Sequence, residues 1–266
     1  MRMKNKIGCF ILSRMTSSRL PGKVLLEIKG KPVIQHIIER AKLVSSADII
    51  VLCTSTEKSD DILELIAKEN GIEVFRGSLS DVLERFLGAA QKFGVDYFVV
   101  YSGDNIFCDP ELMNLGLNQM IDNNLDFINL PDDLVTGGVA YCISTLSLER
   151  ICQLKNDDDT EYYPKYFTRG GFKVGNLQVD DPIFHNTKVR ATIDYPEDLE
   201  FAKRIFDEFN TDINNVPLKR ILELIEQKPG IAKINFFRQK DWSNRQKIQK
   251  KKTGPKWSRS PATTHS

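Results

Sequence analysis

Apolar residues alternate between strand-like and helical spacing over the first hundred residues of the chain. Short apolar runs have strand length, and between them the apolar positions recur every three or four residues, as on one face of a helix. The predicted strands are residues 7–12, 49–53, 73–75 and 97–101, and the predicted helices are residues 33–41, 60–69 and 81–93. Repeated strand–helix units predict an α/β, Rossmann-like fold with a mostly parallel sheet flanked by helices.

The second half of the chain is less regular. Helices are predicted at residues 110–123, 194–210 and 217–227, and strands at residues 127–130, 139–144, 173–179 and 189–193. An acidic and aromatic stretch lies at residues 156–167. We therefore predict one domain over residues 1–237. It contains a small irregular subdomain, residues 126–181, which faces the substrate or forms a dimer interface.

A loop rich in serine and basic residues follows the first predicted strand. The run extends from Ile11 to Lys23 and includes Arg14 and Arg19. Small side chains let backbone N–H groups approach an anion, and Arg and Lys supply positive charge, so the composition favours phosphate binding. A basic surface loop is the simpler interpretation, but this loop lies at the carboxyl end of a strand, where ligands bind in such sheets. The loop at Asp104 has the same position, so both can face one cleft.

Charge is unevenly distributed along the 266 residues, although the net charge is only +1. Residues 238–266 contain nine Lys or Arg residues and one Asp, a net charge of +8, which leaves −7 for the rest of the chain. Because such a tail buries little apolar surface, we predict that it is disordered and that its removal leaves activity intact. A charge run is usually a solvated extension, so nucleic-acid binding is disfavoured.

Several classes of protein are disfavoured by what the sequence lacks. No apolar run approaches the ~20 residues that span a bilayer, and the N-terminus lacks an export signal, so we expect a cytoplasmic protein. The five cysteines are scattered without a C-x-x-C pair, which indicates reduced, mostly buried thiols. The chain has only three histidines, which disfavours a histidine metal site or a Ser-His-Asp triad. His36 lies in an apolar helical stripe and is predicted to be a packing residue.

Four ordered motifs resemble those of the sugar cytidylyltransferases. They are SRLPGK at residues 18–23, GKP at residues 30–32, FRGSLSDVLER at residues 75–85 and TIDYPEDLE at residues 192–200. This family includes the synthetases that activate 3-deoxy-manno-octulosonate or sialic-acid-type sugars with CTP, and the chain is most similar to the spore-coat polysaccharide branch. The resemblance covers about residues 7–210, which is most of the chain.

The resemblance implies a role for the polar residues of these motifs. Arg14, Lys23 and Asp104 would be catalytic, and Asp104 and Asp194 would hold Mg²⁺. The implied nucleotide-binding residues are Leu12, Ser13, Arg14, Ser17, Arg19, Lys23, Arg76 and Gly103. The substrates would be CTP and a small acidic sugar, and the family is commonly dimeric, which implies a homodimer.

Some of these residues also have a purely structural interpretation. Asp194 can cap the helix that follows it, but the motif favours the metal role. Two interpretations of Asp198 are about equally good. It can be a residue of the site, or it can be a carboxylate in the first turn of the helix, stabilised by the helix dipole. Asp81 and Arg85, next to Arg76, can form an ion pair on a helix surface.

Two segments depart from the family pattern. Where relatives commonly carry Gly-Asp-x-Pro-Leu, this chain has Gly103-Asp-Asn-Ile-Phe107, so the loop after Asp104 can differ in shape. Where many relatives carry Glu-His before an aromatic pair, this chain reads Glu161-Tyr-Tyr-Pro-Lys-Tyr-Phe167. The candidate acceptor residues are Glu161, Tyr162, Lys165 and Arg169. Alternatively, this aromatic segment is one face of a helix that packs at a dimer interface and does not bind the acceptor.

The resemblance implies transfer of CMP from CTP to an acidic sugar of the nonulosonic or octulosonic type, with release of pyrophosphate, for surface polysaccharide biosynthesis. Two other functions are kept as alternatives. A metal-dependent glycosyltransferase of similar fold would also use an aspartate such as Asp104, but it binds no triphosphate. The other alternative is a non-catalytic nucleotide-binding or scaffold protein with a basic tail.

Overall fold

The centre of the protein is a mostly parallel β-sheet. A computed structural model of the chain describes residues 4–252 and residue 257. The strands in these residues are β1 (Ile7–Leu12), β2 (Glu27–Ile28), β3 (Lys31–Pro32), β4 (Ile49–Ser55), β5 (Glu73–Gly77), β6 (Tyr97–Ser102), β7 (Phe127–Asn129), β8 (Tyr141–Ser144) and β9 (Val174–Asn176). The short β2 and β3 pair with each other, and the others form one sheet in the order β5-β4-β1-β6-β8-β7-β9.

The direction of the strands confirms the predicted fold class. β5, β4, β1 and β6 run parallel, and only β8 is antiparallel to its neighbours β6 and β7. β9 pairs in parallel with β7 at the far edge. In the described part of the chain, the carboxyl ends of β1, β4 and β6 therefore lie side by side at one edge of the sheet.

Helices cover both faces of this sheet, as the alternating pattern predicts. The helices are α1 (Val33–Ala41), α2 (Asp61–Glu69), α3 (Val82–Phe93), α4 (Pro110–Asp122), α5 (Thr145–Leu154), α6 (Pro164–Thr168), α7 (Pro196–Glu208), α8 (Leu218–Gln227) and α9 (Arg238–Lys252). Side chains of α1, α2, α4, α7 and α8 contribute to one apolar core, and those of α3, α5 and α6 contribute to the other.

Alternate residues of the central strands supply the two cores. In β1, Cys9 and Ile11 point into the first core, and Phe10, between them, packs on Phe98 in the second. Because both faces of the sheet are buried, the strands read as continuous apolar runs instead of alternating ones. All five cysteines are free and four of them are buried, as predicted. His36 is buried as well, with its ring bonded to the carbonyl of Ile28.

Two elements of the second half differ from the prediction. Residues 189–193 do not form a strand, because their backbone bonds to loops: Ala191 N donates to Thr136 O and Ile193 N to Asp104 O, each at 2.8 Å. The helix α5 was not predicted at all. The apolar residues that it buries are Leu148, Ile151 and Leu154, and their three-residue spacing is a helical signal that the prediction missed.

The prediction of a disordered basic tail is wrong for residues 238–252, which form α9. Polar contacts hold the start of this helix on the body, because Arg238 makes two bonds to the carboxylate of Glu197, at 2.8 and 3.2 Å. The rest of the predicted tail, apart from residue 257, lies outside the described residues. None of the helices in the described residues is long and apolar enough to cross a membrane.

Candidate active site

The basic loop (residues 13–23) leaves the carboxyl end of β1 and ends in the 3₁₀ turn Lys23–Leu25. Gly22 has a φ of 66°, in the left-handed region that glycine adopts without strain. Its N–H donates to the carbonyl of Met15, 3.3 Å away, so the loop closes on itself. This turn fixes the point at which Lys23 enters the site.

The buried carboxylate of Asp60 holds the start of the basic loop. Its Oδ1 accepts from Met15 N at 2.8 Å, and its Oδ2 accepts from Thr54 Oγ1 at 2.9 Å and from Ser55 N at 3.0 Å. Burial by itself raises the pKa of Asp60, but the hydrogen bonds from Ser55, Met15 and Thr54 outweigh it and lower the pKa. The loop is therefore tied to the end of β4 through an ionised side chain.

Replacing Asp60 by Ala is expected to lower the free energy of unfolding by about 3 kcal/mol, because several buried donors lose their acceptor. The lowered pKa means that this contribution is complete above the unfolded pKa of about 4 and is lost as the pH falls through the folded value. Urea unfolding at neutral pH and below about pH 4 measures both effects. Asp61→Ala, at the exposed neighbouring position, is the control. Equal stabilities of the two variants at neutral pH would contradict this role.

Asp104 lies where the ends of β1 and β6 meet. The N–H of Gly103 donates to the carbonyl of Leu12 at 2.8 Å, and a Cβ at position 103 would lie 2.8 Å from that oxygen and from Ser13 Oγ. Only glycine permits this approach. Asp104 Oδ1 in turn accepts from Ser102 Oγ at 2.7 Å, so its carboxylate is held at the strand end.

A buried ammonium joins the two predicted metal ligands. Lys23 Nζ donates to Asp104 Oδ2 at 2.8 Å, to Asp194 Oδ1 at 2.9 Å and to the carbonyl of Ile193 at 2.8 Å. Asp194 is 1% exposed, whereas the carboxylate of Asp104 keeps 23% of its surface open. Residues separated by up to 171 positions in sequence therefore form one charged cluster.

Further side chains fix Asp194 from behind. Its Oδ1 also pairs with Arg19, and its Oδ2 accepts from Arg190 Nη2 at 2.8 Å. Asp198 accepts from Arg190 and from the backbone N–H groups of Asp194 and Tyr195. Both interpretations of Asp198 therefore apply in part, since it caps α7 and also orients the cluster.

The charges of this cluster stabilise one another. Burial raises the pKa of the Asp194 carboxyl, but the positive charges of Lys23, Arg19 and Arg190 outweigh it and lower the pKa. Burial lowers the pKa of Lys23, but the carboxylates of Asp104 and Asp194 outweigh it and raise the pKa. Both shifts favour the charged forms of Lys23 and Asp194.

Two clefts meet at this cluster. The first, of about 450 Å³, lies between the basic loop, the end of β6, the start of α3 and the C-terminal half of α9. The second, of about 550 Å³, lies between the 130–141 segment, residues 161–164 and α9. The residues that line both are Leu12, Arg19, Ser102, Asp104, Glu161 and Gln246.

The structure brings most of the predicted nucleotide-binding residues together. Those that line the first cleft are Leu12, Ser13, Arg14, Ser17, Arg19, Lys23 and Gly103. The predicted metal ligand Asp104 lines it as well. Asp194 lines the second cleft. Arg76 lies apart from both clefts of the described chain, where it pairs with Asp61 at 2.7 Å and with Glu64 at 3.0 Å. Its position at the end of β5 therefore serves the packing of α2.

The predicted acceptor residues divide into two groups. Glu161 lines both clefts and lies 2.5 Å from the guanidinium of Arg14, and Tyr162 lines the second cleft. Lys165 is buried, with its ammonium 5.4 Å from the ring centroid of Tyr162, and Arg169 is exposed. In the described chain, neither Lys165 nor Arg169 lines either cleft.

Arg85 does not form the ion pair with Asp81 on a helix surface that was considered for it. It is 1% exposed, lines the first cleft and donates to the carbonyls of Ser78 and Leu79. Asp81 instead caps α3 by accepting from Glu84 N at 3.1 Å.

The sequence matches the family profile described as cytidylyltransferase over residues 9–205, a span that contains the basic loop and both aspartates of the cluster. The chain belongs to the cytidylyltransferase family. The resemblance seen in the four motifs is thereby confirmed. The family is one of nucleotidyltransferases, which favours nucleotidyl transfer over the glycosyltransferase alternative.

Named relatives and a solved structure agree with this family. The spore coat polysaccharide biosynthesis protein SpsF of Bacillus subtilis is 29% identical, over 86% of this chain and 97% of that protein. An 8-amino-3,8-dideoxy-manno-octulosonate cytidylyltransferase of Shewanella amazonensis is 28% identical, over 83% of this chain and 84% of that enzyme. The structure of a cytidylyltransferase from Leptospira borgpetersenii has a TM-score of 0.79 at 27% identity, covering 86% of this chain and 97% of that one.

Proposed function

We propose that this cytidylyltransferase transfers CMP from CTP to an acidic sugar of the nonulosonic or octulosonic type, for surface polysaccharide biosynthesis. A hydroxyl oxygen of the sugar attacks the α-phosphorus, and the bond from that phosphorus to the bridging oxygen of the β-phosphate breaks. The products are the CMP-sugar, pyrophosphate and the proton of the hydroxyl.

One observation carries this proposal: the Lys23–Asp104–Asp194 cluster lies where the two clefts meet. Asp104 lines both clefts, so a phosphate bound in the first cleft and a sugar bound in the second would come together beside it. Holding two reactants in contact is itself a large part of catalysis, because the entropy of bringing them together is lost on binding.

The first cleft has the donors that a triphosphate needs. Arg14, Arg19 and Lys23 supply positive charge, and these groups would stabilise the negative charge that develops on the leaving pyrophosphate. Among the described residues, Ser13 Oγ is buried without a hydrogen-bond partner, and Ser13 lines this cleft. An unpaired buried hydroxyl is costly, so Ser13 supports the binding of a polar ligand at this point.

The cluster also fits the magnesium ion that the family resemblance implies. Two carboxylates already converge on one cation, the ammonium of Lys23, and carboxylate oxygens are preferred ligands of Mg²⁺. No group of three acidic, histidine or cysteine side chains that could hold a metal occurs in the described residues, so phosphate oxygens and water would complete the ligands. Bound at Asp104 and Asp194, the ion would neutralise phosphate charge.

The second cleft supports an acidic acceptor. Arg19 and Lys247 line it and provide positive charge for a carboxylate, and Tyr162 and Trp242 provide ring surfaces for a sugar. The relatives support the same class, since one is named for spore coat polysaccharide and another for an amino-dideoxy-octulosonate.

We expect purified protein with Mg²⁺ to release pyrophosphate only with CTP and an acidic sugar together. The assay compares the four nucleoside triphosphates against a panel of nonulosonic and octulosonic acids, with neutral hexoses as controls. Release with another nucleotide would refute the choice of CTP. No release and no CTP binding by calorimetry would favour the non-catalytic alternative.

The homodimer stays a prediction. Within residues 126–181, β9 forms one edge of the sheet and Val174 is 36% exposed. A strand at a sheet edge can pair with a second chain, so this edge is where we expect a second copy.

A further inference from the structure

The C-terminal helix α9 forms a wall of the candidate active site. Arg245, Gln246 and Ile248 line the first cleft, and Gln239 and Trp242 line the second. Successive turns of one helix thus extend from the second cleft across to the first. The composition predicts a disordered tail that is not needed for activity, whereas the structure places α9 against both clefts.

Specific contacts seat this helix on the charged cluster. Gln239 accepts from Arg190 Nη1 at 3.2 Å and donates to Thr136 Oγ1 at 3.1 Å. The guanidinium of Arg190 lies 5.6 Å from the ring centroid of Trp242, and Arg190 also holds Asp194. The same buried arginine therefore contacts both α9 and the Asp194 carboxylate, which fixes the helix relative to the cluster.

Arg245 differs from the other cations around the first cleft. Arg14 pairs with Glu161, Arg19 pairs with Asp194, and Lys23 pairs with both aspartates of the cluster. Arg85 donates to backbone carbonyls. Arg245 is exposed, and among the side chains that the structure describes, residues 4–248 and 257, none accepts a bond from its guanidinium. Its donors are therefore available to a ligand in the cleft.

The charge of α9 suits an anionic ligand. Residues 238–252 contain seven Lys or Arg residues and one Asp, a net charge of +6, whereas residues 1–237 carry −7. A nucleoside triphosphate would otherwise approach an acidic body, and a basic helix at the cleft offsets that repulsion. Guanidinium groups also match phosphate oxygens as planar, two-pronged donors.

We propose that α9 is part of the nucleotide site and that Arg245 binds the β- and γ-phosphates of CTP. The inference rests on the proposed function. The α-phosphorus must lie at the junction of the clefts, beside Asp104, for the sugar to reach it. Arg245 lines the first cleft but not the second, so it faces the nucleotide and not the acceptor sugar. Within CTP its guanidinium matches phosphate oxygens, and with the α-phosphate at the junction these are the β- and γ-phosphates.

The test is titration calorimetry of the full chain with CTP, CMP and inorganic pyrophosphate. We expect Arg245→Ala to weaken CTP and pyrophosphate binding about tenfold or more, since a charge-assisted contact is lost, and to leave CMP binding within about twofold. Arg245→Lys should recover part of the CTP affinity. Lys240→Ala is the matched control, because it removes one positive charge from the same helix at an exposed position outside both clefts.

The outcomes separate this inference from the proposed function. If the wild-type chain binds CTP and Arg245→Ala behaves like Lys240→Ala, the role of Arg245 is overturned and the proposed function stands. An equal loss of CTP and CMP affinity also overturns it, since the contact would then not involve the terminal phosphates. If the wild-type chain binds no CTP, the proposed function fails and this inference fails with it.

Discussion

Replacing Asp104 by Asn is expected to lower the rate of CTP-dependent pyrophosphate release by about 10³-fold or more, with the fold unchanged. The variant keeps the shape of the side chain and a group that can bond to Ser102. It removes the negative charge that Lys23 Nζ binds at 2.8 Å and that would bind a metal ion at the junction of the two clefts. Because 23% of this carboxylate is exposed, the variant leaves no deeply buried charge without a partner.

The measurement is steady-state pyrophosphate release together with urea unfolding. Asp133→Asn is the matched control, since its carboxylate is 62% exposed, pairs only with His185 among the described residues and lies outside both clefts. We expect wild-type activity for this control. Near-wild-type turnover of Asp104→Asn would remove Asp104 from the proposed chemistry, and unfolding of Asp104→Asn at much lower urea concentration would assign it a structural role instead.

The strands that position the site could be predicted because they lie in the middle of the sheet, covered on both faces. β1, β4 and β6 are buried on both faces, so each appears in the sequence as a continuous apolar run of strand length. In a parallel sheet the loops that follow such strands share one edge. The convergence of the basic loop and Asp104 therefore follows from the order of elements alone.

The contacts that complete the site could not be predicted, because they join distant residues. Asp60 reads as the start of a helix, and nothing in its neighbourhood shows that it accepts from Met15, 45 residues earlier. Arg190 lies in a segment whose apolar residues predict a strand, yet its side chain orders Asp194, Asp198 and α9. Spacing along a chain reports local periodicity and not such pairings.

The α9 helix shows a further reason for a wrong prediction. Its sequence has few apolar residues and no helical stripe, so its composition resembles that of a solvated tail. In the structure it is anchored by polar contacts: Arg238 pairs with Glu197, and Gln239 lies between Arg190 and Thr136. A helix that is held by charge and hydrogen bonds on a preformed site leaves little signal in hydrophobic periodicity.

Replacing Asp194 by Asn is expected to abolish turnover and also to destabilise the fold, which distinguishes it from Asp104. Asp194 is 1% exposed and contacts three cations, Arg19, Lys23 and Arg190. Removal of its charge leaves these groups short of a buried counter-ion, and breaking a buried pair in this way costs about 3–5 kcal/mol. We therefore expect a fall of about 3 kcal/mol or more in the free energy of unfolding.

Urea unfolding of Asp194→Asn and of Asp207→Asn measures this difference. Asp207 undergoes the same chemical change at an exposed site, where its pair with Lys29 contributes little, so its variant should unfold like the wild type. A stable but inactive Asp194→Asn protein would mean that Lys23, Arg19 and Arg190 are adequately balanced by Asp104 and Asp198. Asp194 would then act only in the chemistry. An active Asp194→Asn protein would leave the buried cluster as a structural ion network, and the junction of the two clefts would need another catalytic group.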